Sequence, residues 1–531
     1  MSGAANPDDA NWKPRANPWL IAVVVTLAAF MEILDTTIVN VSLPHIAGSM
    51  SVSYDEATWT LTSYLVANGI VLPISGWIGR VIGRKRYFLV CIAMFAVCSF
   101  LCGIAGSLMQ LVLFRLLQGF FGGGLQPNQQ SIILDTFEPA QRGRAFGIVA
   151  IAVIFAPVIG PTLGGWITDT YSWRWVFFIN VPVGIFTLFA VARMVEDPPW
   201  VLRQQGSGRK NVDYIGLGLI ALGLGCLQIM LDRGEDADWF SSPFIRTFAA
   251  LAAVGIAGAV VWLLTTKHPI VNLRCLADRN FAMGSVMIFA IGAILYSSAV
   301  LIPQLAQERL GYTALLAGLI LSPGALLLIL LIPIVGRLLM PYVQTRHIIG
   351  FGFFALGCAL LYAHTLTPNV DFDTLALMRA AQTFGLAFLF VPNSTITYIT
   401  LPRELNADGS ALYVMFRNVA GSIGISLATA LVTQRTQANM AHLVQYMTPL
   451  YQPYNAALAQ IENALRDMGH AASTLHQAAE AQMFLQLQTQ ASILAYTDVF
   501  ALCAIAAFCI VPLTFLFGPS KAGGGRGAPA H

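Results

Sequence analysis

Two carboxylates, Glu32 and Asp35, stand one helical turn apart in "FMEILDTTIVNVSLP" (30–44), a stretch otherwise apolar enough to lie inside a bilayer. Their three-residue spacing sends both side chains from one helical face. A carboxylate at bilayer depth costs roughly 2.5–3.5 kcal/mol on insertion scales, so such a residue marks an ion or proton pathway by default. A carboxylate that is exposed in turn to an acidic and a less acidic side gains a proton on one and releases it on the other. The plainer alternative is a fixed ion pair joining two helices. The other charges at depth are Arg115, Arg379 and Arg417. Arginine stays charged, so a buried one must find a carboxylate or carbonyls. Glu32 and Asp35 are the candidate partners of Arg115. Arg379 and Arg417 have no acid at depth in their own half of the chain, and they read as structural residues that cap carbonyls or line a cavity.

The elements that must hold these residues follow from composition. Only 10% of the 531 residues are charged and 56% are hydrophobic, whereas soluble domains carry about 25% charged residues. The chain is therefore an all-α integral membrane protein. At about 20 apolar residues per span, fourteen spans are expected, near 19–42, 57–79, 87–105, 109–131, 144–167, 175–194, 214–231, 245–265, 281–303, 315–337, 347–365, 375–398, 410–432 and 495–517. The first apolar run lacks a small-residue cleavage site and is read as a retained anchor. The eight cysteines form no CxxC pair or Cys/His ligand set and read as packing residues.

Orientation follows from lysine and arginine. Connections holding Arg80, Arg84, Lys85 and Arg86, Arg142 and Arg144, Arg203, Arg209 and Lys210, Lys267, Arg274 and Arg279, and Arg337 and Arg346 fall on one side. Arg193, Arg403 and the basic residues of both tails join them. Only Arg174, Arg233, Arg246, Arg309, Arg435 and Arg466 fall on the other. The basic side is expected to be cytoplasmic, with both termini there.

An internal repeat organises the chain. "FRLLQGFFGGGLQPNQQSI" (114–132) matches "MRAAQTFGLAFLFVPNSTI" (378–396), with Arg, Gln and Pro-Asn recurring in order. Related halves around a midplane site are a recurring design of secondary transporters. The expected division is a tail at 1–18, a six-helix bundle at 19–194, two inserted helices with linkers at 195–280, a second six-helix bundle at 281–518, and a tail at 519–531. A polar insertion at 433–494, on the side away from the basic loops, is rich in Ala, Gln and Leu and reads as one or two helices.

"LDTTIVNVSLP" (34–44), "RLLQG" (115–119) and "GPTLGG" (160–165) resemble three signatures of the drug:proton antiporters of the major facilitator superfamily. The fourteen spans resemble their fourteen-helix branch, and "WRWVFFINVPVG" (173–184), "LQIMLDRG" (227–234) and "GYTALLAG" (311–318) resemble its EmrB-type pumps. The resemblance implies the major facilitator fold, two six-helix bundles plus two inserted helices. It implies proton carriage by Asp35, tuned by Arg115, and an antiporter motif of Gly160, Pro161, Gly164 and Gly165. It also implies export of small hydrophobic drugs across the bacterial inner membrane, with an EmrA-type periplasmic membrane-fusion adaptor and a TolC-type outer-membrane channel. The insertion 433–494 is then the candidate docking element.

One signature departs from the family. In "GWIGRVIGRKR" (76–86), framed by Gly76, Gly83 and Arg84, Arg80 occupies the position where the superfamily pattern has an aspartate. Either that gate closes by packing, or Arg80 works with a different carboxylate; simple topogenic charge is the plainer reading of Arg84, Lys85 and Arg86. Candidate cavity residues are Glu32, Asn40, Tyr64, Asn68, Gln118, Gln126, Asn128, Gln129, Asn393 and Asn418, each of which interhelical hydrogen bonding would explain equally well. The proton gradient is the expected energy source, with no cofactor, metal or nucleic acid. A standalone exporter or symporter of a defined metabolite is the alternative. A membrane enzyme is disfavoured because the sequence holds no metal-ligand cluster, P-loop or nucleophile motif.

Overall fold

The computed structural model describes residues 12–204, 212–367, 370–468 and 474–518. Among these residues there is no strand. Fourteen helices are long and apolar enough to cross a membrane: α1 (Pro18–Met50), α2 (Tyr54–Ile82), α3 (Arg84–Gly103), α4 (Leu108–Thr136), α5 (Pro139–Thr170), α6 (Trp175–Met194), α7 (Tyr214–Arg233), α8 (Pro243–Thr265), α9 (Arg279–Glu308), α10 (Leu316–Leu339), α11 (Thr345–Thr365), α12 (Phe372–Thr397), α13 (Arg403–Val444) and α14 (Leu475–Leu516). In hydrocarbon every backbone group must bond within its own segment, which leaves the helix as the spanning form for such runs. Their starts are set locally. Asn17 accepts the Trp19 N–H ahead of Pro18, and Asp278 accepts the Phe281 N–H at 2.8 Å. Ser53 and Glu56 form a capping box at the head of α2.

α1–α6 and α9–α14 make two bundles, and α7 and α8 pack as a pair whose α7 lies against α2 and touches α13. The repeat is visible in the backbone. α4 breaks between Gly122 and Leu125, and α12 breaks at the matching place, between Ala387 and Phe390.

These breaks divide the contacts between bundles. The basic-end half of α4, Leu125–Thr136, packs on α13, and the basic-end half of α12, Phe390–Thr397, packs on α5. The other halves stay home: Leu108–Gly122 packs on α2 and α3, and Phe372–Ala387 on α10 and α11. The two bundles are thus drawn together at the basic end.

α13 and α14 run beyond the expected spans 410–432 and 495–517, taking up both flanks of the polar insertion. Those flanks are rich in helix formers and free of glycine, so nothing in them stops a helix. Between them the helix Gln452–Asp467 buries Leu458 and Leu465 against Leu475 and Ala479 of α14. Residues 469–473 of the insertion, and the tails at 1–11 and 519–531, lie outside the described residues.

Candidate functional site

Asp35 is fully buried near the middle of α1 and accepts from three donors. Arg115 Nη1 reaches Oδ2 at 2.5 Å, while Gln118 Nε2 and Asn180 Nδ2 reach Oδ1 at 3.1 and 2.6 Å. Arg115 also donates to Gln118 Oε1 at 2.9 Å and through Nε to the Thr60 carbonyl at 3.2 Å. The Tyr64 ring lies 4.2 Å from the guanidinium carbon, in cation–π range. Every one of these partners lies in the first bundle. Close helix crossing makes the cluster possible: a Cβ at Gly160 would collide with Thr37 of α1, and one at Gly164 would sit 3.1 Å from the Ile38 carbonyl. Gly165 has only an ordinary contact with Val41, and Pro161 is half-buried beside it.

Glu32 is wired differently. Asn68 Nδ2 donates to its Oε1 at 2.9 Å, and Gln126 Nε2 donates to Oε2. The Oε1 of Gln126 accepts in turn from Arg417 Nη2 on α13, in the other bundle. Arg417 has no acid in its own half, as the sequence indicates, but its hydrogen-bond chain ends on an acid of the opposite half. It is therefore a bridge between bundles rather than a cap for carbonyls.

At the gate loop the second of the two alternatives for Arg80 holds. Arg80 of α2 forms an ion pair with Asp408 of α13, so the residue at the aspartate position of the pattern holds a carboxylate of the opposite bundle. Gly76 lets the backbones meet there, because a Cβ would lie 2.8 Å from the Ala407 carbonyl oxygen. Arg84 is not a loose topogenic charge: it is 1% exposed and ion-paired with Asp135. Asp135 also accepts from Asn406 Nδ2 of α13 at 3.1 Å. Gly83, with φ of 100°, makes the turn between Arg80 and Arg84. In the linker after α6, Asp197 accepts the Lys85 N–H at 2.9 Å, and burial pushes its carboxyl above the usual range against the pull of that N–H and of Arg84.

The other expected cavity residues are scattered. Asn128 bonds the Gly124 carbonyl of its own helix, and Gln129 makes a 3.5 Å contact with Thr26. Asn393 joins the Gly284 carbonyl and the Tyr413 hydroxyl inside the second bundle. Asn418 accepts weakly from Arg417 at 3.4 Å, while Asn40 is exposed and outside the cluster. Sequence reasoning passed over Asn180, Asp135 and Asp408. Asn180 carries a usable signal, a lone amide in the quoted run "WRWVFFINVPVG", whereas the two acids sit at helix ends where charge is ordinary.

Two repeated helical bundles, with a fully buried ion pair at mid-depth inside the first, are a recurring arrangement of membrane transporters. The family described as Major Facilitator Superfamily matches residues 25–425, and the chain belongs to that superfamily. The solved structure of the proton:xylose symporter XylE is 13% identical with a TM-score of 0.57, covering 93% of this chain and 96% of that one. That likeness shows the fold alone. Two relatives are more specific. The chain is 36% identical to the multidrug export protein EmrB of Escherichia coli strain K12 over 513 residues, 96% of this chain and 98% of that one. It is 38% identical to the EmrB of Haemophilus influenzae over 435 residues, 82% of this chain and 84% of that one. The chain is an EmrB-type multidrug exporter with fourteen membrane helices.

Proposed function

We propose that the protein is a proton-driven antiporter that exports hydrophobic and amphipathic drugs across the bacterial inner membrane, its basic end facing the cytoplasm. The observation that carries this reading is the Glu32/Asp35 pair, buried at mid-depth and held by one arginine and neutral amides. Ionised Asp35 uses all three donors. A proton on it turns one oxygen into a donor and removes a partner from Arg115 or Asn180, so the cluster must rearrange. A proton on Glu32 has a longer reach. The new hydroxyl faces the Gln126 Nε2 donor, so Gln126 must turn its carbonyl oxygen, the atom that Arg417 holds, toward Glu32, and protonation competes with a contact between bundles. Release of Arg417, together with Arg80–Asp408 and Asn406–Asp135, lets the basic end open. Proton loss restores the bridge and closes it. Drug and proton then occupy the site in alternation, which is antiport.

The test is substrate-induced proton release and drug flux in liposomes under an imposed pH gradient. Asp35→Asn abolishes both while drug binding persists. Gradient-driven flux by Asp35→Asn at the wild-type rate would sink the proton role.

An EmrA-type adaptor and a TolC-type channel complete the proposed pathway, with the helix Gln452–Asp467 as the docking element. It stands at the end away from the basic loops and presents a polar face beyond its packing on α14. Replacing residues 452–467 with a Gly/Ser linker removes cellular resistance and adaptor co-purification while flux in liposomes survives. Loss of flux as well would assign the helix to the transport core.

A further inference from the structure

The repeat places Arg379 and Gln382 of α12 where the first bundle has Arg115 and Gln118 of α4, and the pairs share a geometry. Arg115 Nη1 donates to Gln118 Oε1 at 2.9 Å, and Arg379 Nη1 donates to Gln382 Oε1 at 3.3 Å. Both arginines stand in the outer halves of broken helices. What faces them differs. Asp35 of α1 takes both Arg115 and Gln118, whereas Arg379 meets the Ser298 hydroxyl of α9 at 2.9 Å. Among the described residues no carboxylate pairs with Arg379, and the buried Nε2 of Gln382, which corresponds to the Gln118 atom on Asp35, has no hydrogen-bond partner. Arg379 is 3% exposed and lines a narrow gap between the bundles. The walls are apolar: Val153 and Pro157 from α5, Leu295 and Tyr296 from α9, and Leu321 from α10.

We infer that Arg379, Gln382 and Ser298 form a binding site for the carboxylate of an amphipathic organic acid, whose apolar body lies against α5 and α10. Arg379 and Gln382 are the counterparts of two of the three donors that hold Asp35 in the first bundle, so a carboxylate is the head group they match. A charged arginine at this depth pairs with a carboxylate or with carbonyls, and a charge-assisted bond to a carboxylate is about twice as strong as a neutral one. The apolar body supplies affinity by area, and the head group supplies selection. The site rests on the drug-export reading and names a substrate class for it.

The test uses 11-(dansylamino)undecanoate and its methyl ester, with binding read by dansyl fluorescence on the full chain in phosphatidylcholine nanodiscs. Two variants are compared. Arg379→Gln removes the cation, and Ser298→Asp gives the arginine a carboxylate of its own. Each is expected to weaken binding of the acid by about tenfold, while the ester, which lacks the charge, holds within about twofold. The second variant adds the counter-charge found in the first bundle and so does not depend on tolerance of a lost cation. Unchanged acid affinity in either variant overturns the site, and so does an ester affinity that falls in step with that of the acid. Proton-coupled flux of a neutral drug by wild-type protein, measured in parallel, reads the antiport proposal separately. Flux with no acid selectivity sinks this site alone, and acid selectivity without proton coupling sinks antiport alone.

Discussion

Arg115 and Arg379 descend from one repeated motif and occupy matching places, yet the first is neutralised by Asp35 and the second meets only a serine hydroxyl and an amide. Both copies of the repeat place a cation at depth, and the first alone sets a carboxylate against it among the described residues. The first copy is internally balanced, so it can exchange a proton without needing a ligand. The second is unbalanced among the described residues and faces a narrow gap lined by both bundles. Within the proposed antiport, the difference separates the work: chemistry of the proton in the first bundle, reception of the drug toward the second. Glu32 stands between them, because its hydrogen-bond chain is the one that leaves the first bundle and ends on Arg417.

The comparison breaks most severely if the acid is lost. Asp35→Asn should reduce gradient-driven flux by about a hundredfold, the scale of removing a positioned proton-transfer group. Moving the acid across, as Asp35→Ser with Ser298→Asp, should not restore it, because Asn180 and the Thr60 carbonyl have no counterparts bonded to Arg379 among the described residues. Flux in liposomes measures both. A double variant that transports at the wild-type rate would show that the two sites are interchangeable.

The basic-end gate comes next in size. Arg80→Asp sets two carboxylates against each other at the contact with Asp408 and should lower flux by roughly tenfold, within the usual range of coupling between states. Reversing the pair, Arg80→Asp with Asp408→Arg, should recover activity to within about threefold, since contacting charges couple strongly in double-mutant cycles. Failure to recover would mean that Arg80 acts through its neighbour Arg84 rather than through Asp408.

Much of this was legible in the sequence, for identifiable reasons. The fourteen helices follow from apolar runs that only a helix can carry through hydrocarbon, and Arg115 with Asp35 follows from the scarcity of charge at depth. The repeat was visible because Arg, Gln and Pro-Asn recur in the same order. What stayed hidden depends on distance between bundles. Asp408 and Asp135 look like ordinary helix-end acids until the fold brings them to Arg80 and Arg84. Arg417 looked isolated because its connection to Glu32 runs through a neutral glutamine.

A smaller effect isolates the bridge itself. Gln126→Leu leaves Glu32 and Arg417 in place and removes only the amide between them. The loss of one buried hydrogen bond at each end should lower flux by about fivefold, near 1 kcal/mol. Drug binding should be unaffected, whereas the ratio of protons released to drug carried should fall. An unchanged ratio would separate the Glu32 chain from coupling.

The smallest expected effect on a neutral drug belongs to Glu32→Gln, and its dependence on drug charge discriminates between the two carboxylates. The new side chain keeps an acceptor for Asn68 but presents an amide N–H where Gln126 now donates. The bond survives only if Gln126 turns its carbonyl oxygen toward residue 32, which points its NH₂ at Arg417 and costs the bridge. Asp35 is untouched by this turn, since Arg115, Gln118 and Asn180 bond it independently. Proton-driven flux of a neutral drug should therefore fall only about twofold to threefold, less than one full hydrogen bond because the other bundle contacts remain. A cationic drug should lose more, about tenfold, because the variant removes a negative charge at depth. Parallel liposome assays with one neutral and one cationic substrate read both numbers. Equal losses for the two would confine Glu32 to the bridge, and abolition of both, with Asp35→Asn still active, would reverse the roles of the pair.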